Sequence, residues 1–151
     1  MPISITTAMP TSFKVEILRA VHNFTASTGN TFKLALFKAT AAGSGTFGTA
    51  TTNYSNMGTD ELPTATGYTQ TGNTLTSVTP VASGTTAICD FADTTWTSAT
   101  FTTCGALIYN STASGAACAV LSFGGDQQVS SGDFTIQFPT AGASTAIIRI
   151  A

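Results

Sequence analysis

The sequence predicts a mainly β protein: an antiparallel β-sandwich with one short N-terminal α-helix, in a single domain over residues 1–151. Three observations predict it. Thr and Ser together fill 45 of the 151 positions, and the branched β-carbon of Thr suits a pleated surface better than a helix. Only one stretch, near the start, carries apolar residues at helical spacing. From residue 74 onward, short runs of strand-forming residues recur every ~8–12 positions between Gly- and Ser-rich turns, the spacing of sandwiches and barrels. A length of 151 residues also matches the common domain size of ~100–150.

Residues 1–10 read as an extended arm. Within Pro2–Met9, Ile3 and Ile5 alternate with hydroxyl residues, which suits the arm to adding a strand to a neighbour's sheet edge. The helix is placed at 11–24. Thr11 or Ser12 supplies an N-cap oxygen after Pro10, and Phe13, Ile17, Val21 and Phe24 form an apolar stripe widened by Leu18 and Ala20. The turn-rich segment 26–30 closes it. A helix of about 12 residues is marginal alone, so its stripe must pack on the rest of the chain.

The β region occupies 31–151. Its first strand, 31–38, alternates Phe32, Leu34 and Leu36 with Lys33, Ala35 and Phe37, which predicts one inward face. A weakly patterned connection over 39–66 follows. Connections of that length in compact domains are functional or mobile, and this one is assigned, with the arm, as a contact surface. Further strands are expected at 74–79, 86–91, 95–103, 105–109, 117–123, 133–138 and 145–150. Turn residues separate most of them, at Ser83-Gly84, Ser114-Gly115, Gly124-Gly125-Asp126, Ser131-Gly132-Asp133 and Ala141-Gly142.

Charged residues make up 8% of the chain and leave a net charge of −2, against a usual charged fraction of ~25%. Five Lys and Arg cannot build the basic stripe that phosphates require, which excludes nucleic acid as a partner. No run approaches the ~18 apolar residues of a membrane helix. The start lacks the cationic and apolar segments of a secretory signal. A surface this close to neutral does little to keep copies apart, which favours a place inside an assembly, as a homo-oligomer. Cys89, Cys104 and Cys118 are odd in number and form no C-x-x-C pair. They read as buried thiols of a reducing cytoplasm, with one disulfide and a leftover thiol as the alternative.

No catalytic, cofactor-binding or metal-ligating set emerges from these residues. His22 sits beside Val21 at the edge of the apolar stripe and reads as structural. No G-x-S-x-G elbow occurs. The seven carboxylates are Glu16, Asp60, Glu61, Asp90, Asp93, Asp126 and Asp133. Asp126 and Asp133 lie in Gly-rich turns, where Asp binds backbone amides. Asp90 and Asp93 lack the alternating oxygen ligands of a calcium loop. Gly43-Ser44-Gly45 and Gly124-Gly125 have neither the spacing nor the Lys of a phosphate loop. Trp96 alternates with Thr in a strand and is expected to anchor the core.

The opening run from Met1 to Lys14 resembles that of a family of small tailed-bacteriophage virion proteins. The similarity continues through Asn30–Lys38, Asn53-Tyr54-Ser55, Glu61, Gly67-Tyr68, Leu75 and Trp96. It resumes over Gly105–Asn110, Ala119–Gly124, Gly132–Pro139 and Ala146–Ile150. The resemblance implies a non-enzymatic structural part of a phage particle. Within that class it implies a capsid cement or decoration protein that binds the major capsid protein and copies of itself on the virion surface. The family pattern carries no catalytic residues. Where the family has Arg before its Gly-Ala-Leu-Ile-Tyr-Asn strand, this chain has Cys104, so a charged contact there lacks its residue. A tail or tail-fibre component shares the same composition. A carbohydrate-binding module is the alternative of a different class, with Trp96 or Tyr68 as its stacking ring.

Overall fold

The computed structural model describes residues 1–151 as a mainly β fold with one α-helix and three sheets. Strands β1 (Ser4–Ile5) and β3 (Thr46–Phe47) form a short parallel pair. A four-stranded antiparallel sheet has the order β4-β2-β7-β8, with β2 at Phe32–Lys38, β4 at Asn73–Thr74, β7 at Thr94–Asn110 and β8 at Ala116–Ile136. A three-stranded antiparallel sheet has the order β5-β6-β9, built from Ser77–Ser83, Thr86–Phe91 and Ile148–Ile150.

β2 lies inside the four-stranded sheet and is buried on both faces, not one. Leu34 and Leu36 pack on one side, Ala35 and Phe37 on the other, all fully buried. The unbroken apolar run Leu34–Phe37 is the signature of such a strand. On the first side, Phe13, Phe24, Cys89, Phe91 and Ile148 join Leu34, Leu36 and Ile108 in one core, contributed by α1 (Thr11–Leu18), the segment after it and the β5-β6-β9 sheet. On the second side, Ile3, Phe47 and Met57 close over Phe37, Leu107 and Val120. The arm and the 39–66 connection therefore form the second wall of the core.

This corrects the reading of the arm as a strand for a neighbour. It is extended, but its backbone is used within the chain. The amides of Ile3, Ser4 and Thr6 donate to the carbonyls of Thr40, Gly45 and Phe47. Ala8 and Val120 exchange both backbone hydrogen bonds, at 3.0 and 2.9 Å. The 39–66 connection is likewise organised, through single 3-10 turns at Thr40–Ala42, Tyr54–Asn56 and Gly58–Asp60.

The helix is shorter than its stripe suggests, ending at Leu18 instead of residue 24. Arg19 caps it, and Ala20 adopts the left-handed conformation at φ 57°. The Ala20 amide donates to Ile17 and the Val21 amide to Glu16, both at 3.0 Å. That pairing is a Schellman motif, in which Gly is the usual residue at the left-handed position. With Ala there, the sequence carries no stop signal. His22 and Phe24 then turn inward by strand-like alternation, while Asn23 is exposed. Pro10 occupies the N-cap with no side-chain hydrogen bond, so neither Thr11 nor Ser12 serves there.

Two pairs of expected strands are fused. Thr95–Thr103 and Gly105–Tyr109 form the single strand β7, and Ala117–Phe123 and Asp133–Phe138 merge into β8. The expected turn Gly124-Gly125-Asp126 is a bulge: Thr103 pairs with Gln127 and Gly105 with Ser122, so four residues face Cys104 alone. Gly124 and Gly125 take φ 75° and 156° there, which explains turn residues inside a strand. Ser131, at φ 50°, sits at a second irregularity between the Ala99 and Phe101 pairs. Ser114-Gly115 does form the β7–β8 hairpin turn. The 145–150 strand shrinks to β9, and the 74–79 strand splits between β4 and β5.

Candidate functional site

All seven carboxylates accept hydrogen bonds from within the chain. Asp93 accepts from the Phe138 amide, Asp133 from Ser98, Asp90 from Phe91, and Asp126 from the amide and hydroxyl of Thr40 at 2.7 and 2.6 Å. Asp126 and Asp133 thus bind backbone amides as their turn chemistry suggested. The Thr40 hydrogen bonds hold Asp126 below the usual carboxylate range and clip the β8 bulge to the start of the connection.

Asp60 and Glu61 form the polar frame of the connection, which sequence reasoning passed over. Asp60 accepts from the Ser44 and Gly45 amides at 3.2 and 2.8 Å, with Lys38 Nζ at 4.0 Å. Glu61, 4% exposed, accepts from the Tyr54 hydroxyl, from the Tyr68 hydroxyl at 3.0 Å and from the Thr71 amide at 2.6 Å. Tyr68 in turn accepts from the Leu36 amide, and Tyr109, stacked on Tyr54 at 4.5 Å, donates to the Thr71 carbonyl. Burial first, and then the Glu61 carboxylate, push the Tyr54 phenol up. Burial pushes Tyr109 up to about 12. Three donors on one buried carboxylate make a structural anchor. Its signal in the sequence is the spacing: Tyr54 and Tyr68 lie seven residues on either side of Glu61.

His22 lies in a second polar cluster, its side chain fully buried. Asn110 Nδ2 faces both His22 Nδ1 at 3.0 Å and Asn30 Oδ1 at 2.9 Å. Asn110 Oδ1 accepts from the Ala113 amide, and Asn30 Oδ1 from the Asn23 amide. These fixed ends assign Nδ1 of His22 as an acceptor, so its Nε2 carries the proton and donates to Glu16 at 2.9 Å. Cys118 Sγ lies 3.8 Å from Nδ1. Cys, His and Glu are thereby brought together, yet Cys118 is fully buried and burial pushes its thiol up. A thiol without solvent access or thiolate character is no nucleophile.

The three cysteines are all free and buried, which sets aside the disulfide alternative. Burial pushes Cys89 up to about 12. Trp96 anchors the core as expected, 3% exposed among Tyr68, Phe101 and Phe134. Tyr68 is 1% exposed, so neither ring of the carbohydrate-binding alternative can stack on a sugar.

The outer surface is uneven in a different way. Of six exposed large apolar side chains, five lie on three neighbouring elements: Val15 and Leu18 on α1, Val78 and Val81 on β5, and Ile150 on β9. Between these elements runs an apolar groove of about 140 Å³, lined by Ile17, Pro80, Ala87, Cys89, Ile148 and Ile150 among others. A hollow of about 590 Å³ beside Met1, Lys38 and Asp60 is an open polar depression. No helix is long and apolar enough to cross a membrane. Compared with protein-family models, with curated proteins and with solved structures, the chain matches none.

Proposed function

We propose that this chain is a non-enzymatic structural protein of a bacteriophage particle, a capsid cement or decoration protein that binds the major capsid lattice. In this reading the four-stranded and three-stranded sheets form a β-sandwich whose surface around α1, β5 and β9 makes the contact. The observation that carries it is the segregation of the surface. Polar and charged side chains tie the connection to the domain itself, whereas the neighbouring elements α1, β5 and β9 carry five of the six exposed large apolar side chains. Singly scattered exposed apolar residues need no explanation, but their concentration on neighbouring elements marks a contact surface. The resemblance to virion proteins supplies the setting.

Co-sedimentation with genome-filled, tail-less heads stripped of accessory proteins tests the reading. The expected result is saturable binding at a fixed ratio to the major capsid subunit, lost in Val81→Asp. Absence from heads with recovery in isolated tails would move the protein to the tail.

A further inference from the structure

The buried cluster around His22 is polarised in one direction. Asn110 Oδ1 is held by the Ala113 amide at 3.1 Å, and Asn30 Oδ1 by the Asn23 amide at 2.8 Å. Backbone amides only donate, so both side-chain amides are fixed with their oxygens toward these partners. Asn110 Nδ2 then directs its two hydrogens at His22 Nδ1 and Asn30 Oδ1. The cluster is therefore satisfied only while Nδ1 carries no proton. It also joins separate parts of the chain. Glu16 lies on α1, His22 and Asn30 on the irregular segment that follows, Asn110 at the end of β7 and Cys118 on β8.

What faces the ring decides where a further proton goes. From α1, the Glu16 carboxylate lies 2.9 Å from Nε2 and has no Lys or Arg partner. From β8, the Cys118 thiol lies 3.8 Å from Nδ1, itself within electrostatic reach of Glu16 and of Cys89 on β6. Phe13, Phe24 and Phe32 close the remaining sides, with ring centroids at 4.8, 6.2 and 6.4 Å. Nε2 already donates to Glu16, so an added proton goes to Nδ1. The carboxylate favours the resulting imidazolium, but its Nδ1–H points at the Asn110 Nδ2 hydrogens. Turning the Asn110 amide over relieves that contact only by setting Nδ2 against the Ala113 amide and Oδ1 against Asn30 Oδ1.

We infer that His22 is an acid-sensitive latch: a proton taken up from solvent at Nδ1 breaks the contact with Asn110 and loosens residues 20–30 from the end of the β7–β8 hairpin. The groove beside α1 is reshaped by the same event, because Ile17 and Phe24, on either side of His22 in the chain, both line it. The latch does not depend on the virion setting, so failure to bind heads would leave it standing.

The test is an acid titration of the full ¹⁵N-labelled chain. Long-range ¹H–¹⁵N spectra should show the Nε2–H tautomer of His22 at neutral pH. As the ring becomes doubly protonated, the Asn110 side-chain amide should shift along the same curve. Exchange protection at the Asn23 and Ala113 amides should fall at least tenfold. The Ile3 and Ala8 amides, bonded to the Thr40 and Val120 carbonyls on the other side of the sheet, should keep theirs. Protection at Asn23 and Ala113 should stay level in His22→Gln and in His22→Phe, which take up no proton there. Glu16→Gln retains an acceptor for Nε2 and should preserve the link between ring protonation and loss of protection. The Nδ1–H tautomer at neutral pH would overturn the proposal, as would ring protonation that leaves Asn110 unmoved. So would a loss of protection that persists in either His22 variant, or a ring that stays singly protonated until the whole chain unfolds.

Discussion

The two sides of the four-stranded sheet are closed in opposite manners. One is covered by irregular chain, the arm and the connection, and every strand edge it reaches is occupied. Glu61 bridges to Phe37, and the Leu62 amide bonds Leu36, along the outer edge of β2. Ala8 and the Thr52 carbonyl do the same along β8. Three carboxylates, Asp60, Glu61 and Asp126, fix that cover to the domain. The other side is covered by regular structure, α1 and the β5-β6-β9 sheet, which leaves an open end strand and apolar side chains facing out. Irregular chain must satisfy its own backbone groups and so draws polar side chains inward. A sheet satisfies them by itself and can present apolar side chains to a partner.

If the arm is a wall of the core, deleting residues 2–9 has the largest effect. Ile3 is 5% exposed, and burying one such side chain contributes about 1.5–3 kcal/mol. The lost Ala8–Val120 and β1–β3 hydrogen bonds add to this. The expected outcome is a urea unfolding midpoint lowered by the equivalent of about 3–5 kcal/mol. An unchanged midpoint would return the arm to the role of a free strand. Next comes a paired substitution across the comparison. Leu107→Ala, fully buried beneath the connection, should cost about 2–5 kcal/mol. Val81→Ala, 57% exposed on the other side, should stay within about 0.5 kcal/mol.

Glu61→Ala tests whether the carboxylate holds the cover in place. It strands the buried Tyr68 hydroxyl, along with the half-buried Tyr54 hydroxyl and the Thr71 amide, and leaving a buried partner unsatisfied costs about 1–3 kcal/mol. Hydrogen exchange should rise at Thr71 and Leu36 and remain unchanged in β9. A smaller effect of opposite sign belongs to the other side. Ala20→Gly relieves the left-handed strain at the end of α1 and should stabilise by about 1 kcal/mol, read as a rise in the thermal midpoint.

What could be read from the sequence follows the same division. β2, β6, the helix start, the Ser114-Gly115 turn and the burial of Trp96 were legible because side-chain pattern and local turn chemistry determine them. The long strands β7 and β8 were not, because Gly124-Gly125 and Ser131-Gly132 carry the same chemistry in a bulge as in a hairpin turn. The helix end was hidden by Ala20 in a glycine position. The Glu61 anchor left only the symmetric spacing of Tyr54 and Tyr68 as a trace, because its donors Tyr54, Tyr68 and Thr71 are brought together only by the fold. The apolar outer face was hidden because Val78, Val81 and Ile150 look like core residues until strand order places them at an open edge.

Asp126 sits where the irregular cover meets β8, and its pH dependence sharpens the comparison most finely. The Thr40 hydroxyl and amide lower its folded pKa below the ordinary carboxylate range, near ~3.9 for an unfolded Asp. A depressed carboxylate binds its proton less readily when folded, so its contribution is complete above the unfolded range and disappears as pH falls through the folded value. The group is fully exposed, so the effect on global stability is small and the readout is local. The Thr40 amide proton, held downfield at neutral pH by its 2.7 Å bond, should move upfield with an acid midpoint below that of an unstructured Asp. Exchange at Thr40 should quicken over the same interval. Asp126→Asn should flatten both profiles without moving the amides of β5, β6 or β9. Movement there in step with Thr40 would mean that the two covers are one cooperative unit and that the division between them is only geometric.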